Sequence, residues 1–157
     1  MEGYWCKEWE QGRRFLVKID PGRAVVERLQ AFARQHNLYS GLVLSAVGSV
    51  QNARFRGIKT GARLPITPPR MHVHEEEGPL ELVGLNGNFF LDEQGDIDIH
   101  LHIMVGKSSG EVLGGHLFDA TVFATCELVV VEVLAEGIER HQSRRGGIPT
   151  LYIEEDN

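Results

Sequence analysis

The chain predicts an α/β (α+β) fold, a mostly antiparallel β-sheet with one main helix packed on it. Three observations carry this. Only one stretch repeats its apolar residues at helical spacing: Val25, Leu29, Phe32 and Ala33. From Asp96 to Ile103 polar and apolar residues alternate without a break, the period of a half-buried strand. The remaining apolar runs are β-branched and separated by glycine-containing turns, with 18 glycines in 157 residues.

Residues 1–13 are polar and aromatic and read as a lead-in. Phe15, Val17 and Ile19 alternate with Leu16, Lys18 and Asp20, giving a first strand. Asp20-Pro21-Gly22 ends it and opens the helix, with Asp20 as the expected cap. The apolar stripe runs to about His36, a residue favoured at a helix C-terminus by the helix dipole. Residues 40–50 predict a strand buried on much of both faces. A short basic strand, Ala53 to Lys59, follows. Leu64 to Arg70 contains three prolines and reads as a loop.

Met71-His72-Val73-His74 places two imidazoles on one strand face, beside Glu75, Glu76 and Glu77. They could add ligands to a metal site or form a second one, but a solvent-exposed role is the expectation next to a Pro-rich loop. Leu80 to Phe90 predicts a long strand, and Leu91 to Gly95 a turn. Leu117 to Asp119 reads as a connection or a single helical turn, and Ala120 to Ala135 as a long strand. Cys126 within it is expected to be a small core residue. Glu136 to Pro149 reads as a charged loop, and Leu151 to Ile153 as a short final strand. No internal repeat or domain boundary is evident, so the expectation is a single domain over 1–157, with its core at about 14–135 and a loop and tail at 136–157.

A net charge of -6 argues against nucleic-acid binding by bulk charge, because phosphate binding is driven by Lys and Arg. A local patch is compatible with it: Arg54, Arg56 and Arg63, with Arg144 and Arg145 later, are the candidate phosphate contacts. The two cysteines, Cys6 and Cys126, have neither metal spacing nor the look of a disulfide framework. No signal-peptide pattern or membrane-length apolar run is present, so a soluble cytoplasmic protein with no membrane contact is expected.

The chemistry is concentrated between Asp96 and His116. Ile97, Ile99, Leu101 and Ile103 share one strand face, which wants a core; Asp96, Asp98, His100 and His102 share the other. A turn at Lys107–Gly110 would return the chain so that His116 approaches His100 and His102. Three neutral imidazoles with one position left open suit zinc or another divalent transition metal. Asp98 and Glu111 are candidates to orient a ligand histidine or to act as a base. An ordinary polar strand face is the competing interpretation of the same residues. Cupins also present His-x-His on a strand, but they follow it with Glu within a few residues, whereas Glu111 comes nine positions after His102.

The order of motifs resembles the PPC domain (plants and prokaryotes conserved domain). The residues that carry the resemblance are the strand-Asp20-Pro21-Gly22-helix opening, Ser45-Ala46-Val47-Gly48-Ser49-Val50, Gly78-Pro79-Leu80-Glu81-Leu82 leading to Leu85-Asn86-Gly87-Asn88, His100-Leu101-His102, and Gly114-Gly115-His116-Leu117. It extends over roughly residues 14 to 135. The resemblance implies a compact homotrimer. For prokaryotic members it implies a metal site, with zinc the expected ion, close to a subunit interface, and this puts His100, His102 and His116 in the ligand role. Plant members join the domain to an AT-hook and act as nuclear DNA-binding regulators. They carry an arginine where this chain has Pro79, and they lack the three histidines. No Arg-Gly-Arg-Pro core occurs here, so a DNA-binding or regulatory role is implied by the resemblance alone. A metal-dependent small-molecule enzyme or metabolite sensor using the same histidines is the alternative, and a metal that merely pins the hairpin or the trimer is a third expectation.

Overall fold

The computed structural model describes residues 3–153. Among the described residues, seven strands and one α-helix follow in the order β1 (Glu10–Ile19), α1 (Val25–Gln35), β2 (Gly41–Ile58), β3 (Met71–Leu91), β4 (Ile97–Gly106), β5 (Val112–Leu134), β6 (Ile138–Gln142) and β7 (Pro149–Ile153). A short 3-10 turn at Pro68–Arg70 precedes β3. The mostly antiparallel sheet with one helix is the architecture the sequence predicts.

The sheet order is β1-β5-β2-β3-β4, and β4 also pairs with β5. The strands β5, β2, β3 and β4 therefore close into a ring, with β1 added outside it on β5. Closure is made by the first residues of β5, where Gly106 pairs with Val112 and His102 with His116. The intervening turn is the one expected: Lys107 N–H donates to the Glu111 carbonyl, and Gly110 adopts φ 86°.

Burial follows the strand period. Ile97, Leu101, Ile103 and Val105 of β4 face inward with Phe55, Leu85, Phe89, Leu117 and Val122. The helix presents Val25, Leu29 and Ala33 to the same core. Its start departs from expectation. Asp20 only forms the preceding turn, its carbonyl accepting from Arg23 N–H. Ala24 occupies the N-cap without a side-chain bond. The free N–H of Val26 donates instead to Asp119 Oδ1 of β5 at 3.0 Å, a carboxylate placed where the helix dipole favours it. His36 is the C-cap, as expected, and its carbonyl accepts from Arg13 Nη1 at 3.0 Å.

Several sequence boundaries merge or shift. The strands read at 40–50 and 53–59 are one continuous β2, and those at 71–74 and 80–90 are one continuous β3. Leu117 to Asp119 is neither a connection nor a helical turn but part of β5. Phe55 opposes Leu117 and Arg54 opposes Asp119, so Phe118 is the extra residue of a β-bulge. The charged stretch after Glu136 is not a plain loop. It contains β6, which pairs with β7 as an antiparallel hairpin. Residues 154–157 of the tail, and Met1 and Glu2 of the lead-in, lie outside the described residues.

Gly87 shows how tightly β3 and β4 approach. A Cβ there would stand 2.0 Å from the His100 carbonyl oxygen, and the residue has φ 153°. Gly87→Ala is therefore expected to push β4 away at His100 and to lower stability by about 1–3 kcal/mol, measured by urea denaturation against the parent. An unchanged midpoint would show that the approach is slack.

Candidate metal centre

Register assembles the site. His102 of β4 pairs with His116 of β5, and His116 pairs on its other side with Arg56 of β2. Residues directly opposite in antiparallel strands point to the same face, so His102, His116 and Arg56 form a row across three strands. His100 lies two residues before His102 on that same face. This is the outer face of the ring, because the alternating partners Leu101, Leu117 and Phe55 fill the core.

Loop residues turn this outer face into a cleft. Ile66 N–H donates to the Gly146 carbonyl at 2.7 Å, which joins the Pro-rich loop to the β6–β7 turn. Ile66 and Ile148, with Ile58, Gly57 and Gly115, then wall a cleft of about 370 Å³ that also contains Arg56 and the three histidines. A smaller hollow of about 80 Å³ lies alongside, between His100, His116, Asp98 and Arg56.

The three imidazoles offer nitrogen atoms that all lie within 4.8 Å of one another. His100 Nε2 and His102 Nε2 are 3.3 Å apart. Two nitrogens bound to a tetrahedral ion at about 2.0–2.1 Å would stand about 3.3–3.4 Å apart, so this pair already has the span of one tetrahedral edge. Ring centroids of His100 and His116 are 4.9 Å apart, and those of His102 and His116 are 5.7 Å apart. The donor set is therefore one that could hold a transition-metal ion.

Burial and nearby positive charge favour the neutral form of His116 and His100. Burial, then the neighbouring Arg56, pushes His116 down to about 4. Burial and the Arg140 guanidinium lower His100, against a weaker opposing pull from Asp98. A neutral imidazole is the form that binds metal.

The other predicted residues divide clearly. Asp98 is on the site face, but its carboxylate faces Arg140, with Oδ2 3.2 Å from Nε. It does not hydrogen-bond a histidine. Glu111 lies in the β4–β5 turn and faces Lys107 Nζ at 3.6 Å. Four strand residues separate that turn from His102, roughly 13 Å, so Glu111 is not placed to orient a ligand. Arg54 is exposed, pairs with Glu75 at 3.1 Å and lies over the Phe118 ring. Arg56 is turned into the cleft instead of outward. Arg63, Arg144 and Arg145 are exposed on the two joined loops. His72 and His74 do not join the triad. His74 pairs with Phe55 and stacks on it at 5.2 Å, on the face opposite Arg56. Cys126 is buried, as expected, and burial raises its thiol to about 11.

Arg140 was not legible as a site residue. It is only 3% exposed, lies over the Phe90 ring, and reaches Asn88 Oδ1 as well as Asp98. In the sequence it is one of several arginines in a charged stretch, and nothing local separates it from Arg144 or Arg145.

The family profile of the Plants and Prokaryotes Conserved (PCC) domain matches residues 6–134, and the chain belongs to that family. A metal-containing protein from Archaeoglobus fulgidus has the same fold, with a TM-score of 0.82 at 29% identity, covering 96% of this chain and all of that one. The bifunctional protein GlmU of Synechococcus sp. (strain JA-3-3Ab) is 31% identical over 90% of this chain and 20% of its own length. The AT-hook motif nuclear-localized protein 14 of Arabidopsis thaliana is 34% identical over 64% of this chain and 22% of its own length. The chain thus spans about a fifth of the curated relatives it matches. Among the described residues no helix is long and apolar enough to cross a membrane.

The lowered His116 has a consequence for the metal-free protein. The unfolded chain takes up a proton near the ordinary value of 6.5, while the folded chain resists until about 4. Stability is therefore expected to fall as pH drops from about 6.5 to about 4, and to level off below that on this account. Urea unfolding at pH 7, 5.5 and 4.5 should show this loss in the parent and a smaller one in His116→Gln. Equal pH dependence in both would remove His116 as its source.

Proposed function

We propose that the chain is a metal-dependent small-molecule protein, an enzyme or a metabolite sensor, in which His100, His102 and His116 hold a divalent transition ion, zinc being the expected one. The observation that carries this reading is the convergence of three imidazoles on the wall of a cleft. A bound ion there would polarise a carbonyl or a water that reaches its open position. The chain's own residues supply the rest. The strand register fixes the ligand rings, Arg56 and Arg140 add positive charge, and Ile58, Ile66 and Ile148 exclude water from one side. The metal-containing relative from Archaeoglobus fulgidus supports the reading. A cytoplasmic location belongs to it.

Assembly as a homotrimer is part of the same proposal. Leu16 and Val47 are 89% and 60% exposed. With Val129 they line a groove of about 390 Å³ on the outer sheet face, an apolar surface of the kind subunit contacts cover.

A second reading rests on the basic loops. Arg63, Arg144 and Arg145 are all exposed on two segments joined by the Ile66–Gly146 hydrogen bond. They could contact phosphates and so support the DNA-associated role that the AT-hook relative suggests.

Protein purified without affinity histidines or chelator is expected to contain about one metal ion per chain by elemental analysis, and His116→Ala to lose most of it. Sedimentation of the same parent sample is expected to give three times the chain mass. No metal in the parent, even after reloading, would sink the three-histidine reading. For the DNA reading, fluorescence anisotropy with a labelled duplex should show binding that weakens steeply with salt, and Arg144→Ala/Arg145→Ala should reduce the slope by about 2. No binding at low salt would dispose of that role.

A further inference from the structure

Among the described residues Arg56 stands out as a charge without a counter-ion. Its Nε is buried and has no hydrogen-bond partner among the described residues. Its Nη1 abuts the sulfur of Met71, a weak acceptor. Its aromatic neighbour Phe118, at 5.8 Å, can take one face of the guanidinium but none of its N–H groups. Of the acids close by on the site face, Asp98 faces Arg140 and Glu75 faces Arg54. Leaving a partly buried guanidinium in this state is costly. The cost would rise further beside a divalent ion held by three neutral imidazoles, which bring no negative charge of their own.

We propose that the cleft binds a small organic carboxylate, with one oxygen towards the open side of the three-histidine centre and the other taken by the Arg56 guanidinium. The proposal rests on the metal reading above and names the ligand class for it. The chemistry of the walls selects within the anions. The guanidinium is a planar fork that matches a carboxylate. The rest of the cleft is Ile58, Ile66, Ile148 and the glycines 57 and 115, which suit a short branched hydrocarbon body. A fully hydrated tetrahedral anion such as phosphate would leave oxygens against those isoleucines without donors. The pocket of about 370 Å³ limits the ligand to small size. Arg56 is thereby a substrate-binding residue and not a contact to a nucleic-acid backbone.

The test uses the full chain loaded with Co²⁺, whose visible spectrum reports changes in its coordination. The protein is titrated with isobutyrate, with isobutyramide as the uncharged isostere, and with inorganic phosphate. The expected result is one cobalt per chain and a saturable spectral change with isobutyrate, with isobutyramide and phosphate each weaker by about tenfold or more. Arg56→Gln should keep its cobalt and weaken isobutyrate by a similar factor, and Arg56→Lys should fall between. If Arg56→Gln does not fold, the loss in Arg56→Lys carries the comparison. Full cobalt loading with no response to isobutyrate overturns the proposal and leaves the metal reading standing. So does equal binding of isobutyramide, equal or tighter binding of phosphate, or unchanged affinity in the arginine variants. Failure to take up cobalt removes the metal reading and the proposal together.

Discussion

The pairing of β5 with two strands at once is the constraint on which the rest of the molecule depends. The segment around His116 is bonded to β4 on one side and to β2 on the other. This closes the sheet into a ring and gives it an inside for Leu101, Ile103, Phe55 and Leu117 to fill. It also sets the outside. Because side chains alternate, the residues between those core positions must all face outward, and these are His100, His102, His116 and Arg56. Core and site are thus two consequences of a single register. A slip of one residue in the β4–β5 hairpin would turn His116 into the core and a core residue into the cleft.

The bulge at Phe118 shows how local irregularity serves this arrangement. The extra residue places Phe118 beneath Arg54 and Arg56 and leaves Asp119 able to reach the first turn of the helix. One insertion in β5 therefore both supports a cleft residue and satisfies the helix N-terminus, for which Ala24 has no side-chain acceptor. The helix is held from the other end as well, where Arg13 bridges Glu132 of β5 and the His36 carbonyl.

Charge balance in the site is unusual for a chain with a net charge of -6. The acidic residues closest to Arg56 and the histidines are used elsewhere, Asp98 by Arg140 and Glu75 by Arg54. The cleft is a local positive site on an acidic protein. Burial and the arginine charges favour the neutral form of His100 and His116, and the unpaired charge of Arg56 makes the cleft attractive to anions.

What the sequence determined by itself was whatever depends on periodicity. The helix stripe at Val25, Leu29 and Ala33, the alternation of β4, the turn at Lys107–Gly110 and the grouping of His100 with His102 are all effects of neighbours within a few positions. The return of His116 was also legible, because a hairpin is a local event. Tertiary structure alone decided the rest. Arg56 reaches His116 through pairing of strands distant in the chain. Arg140 reaches Asp98 only because the β6–β7 hairpin folds back on the sheet, and it could not be told from Arg144 by its surroundings in the sequence. Glu111 shows the complementary effect. It is close to His116 in sequence, but a hairpin carries its turn away from its own strand ends at about 3.3 Å per residue. Spacing along one strand fixes which side a residue faces. Only the register between strands fixes which residues meet.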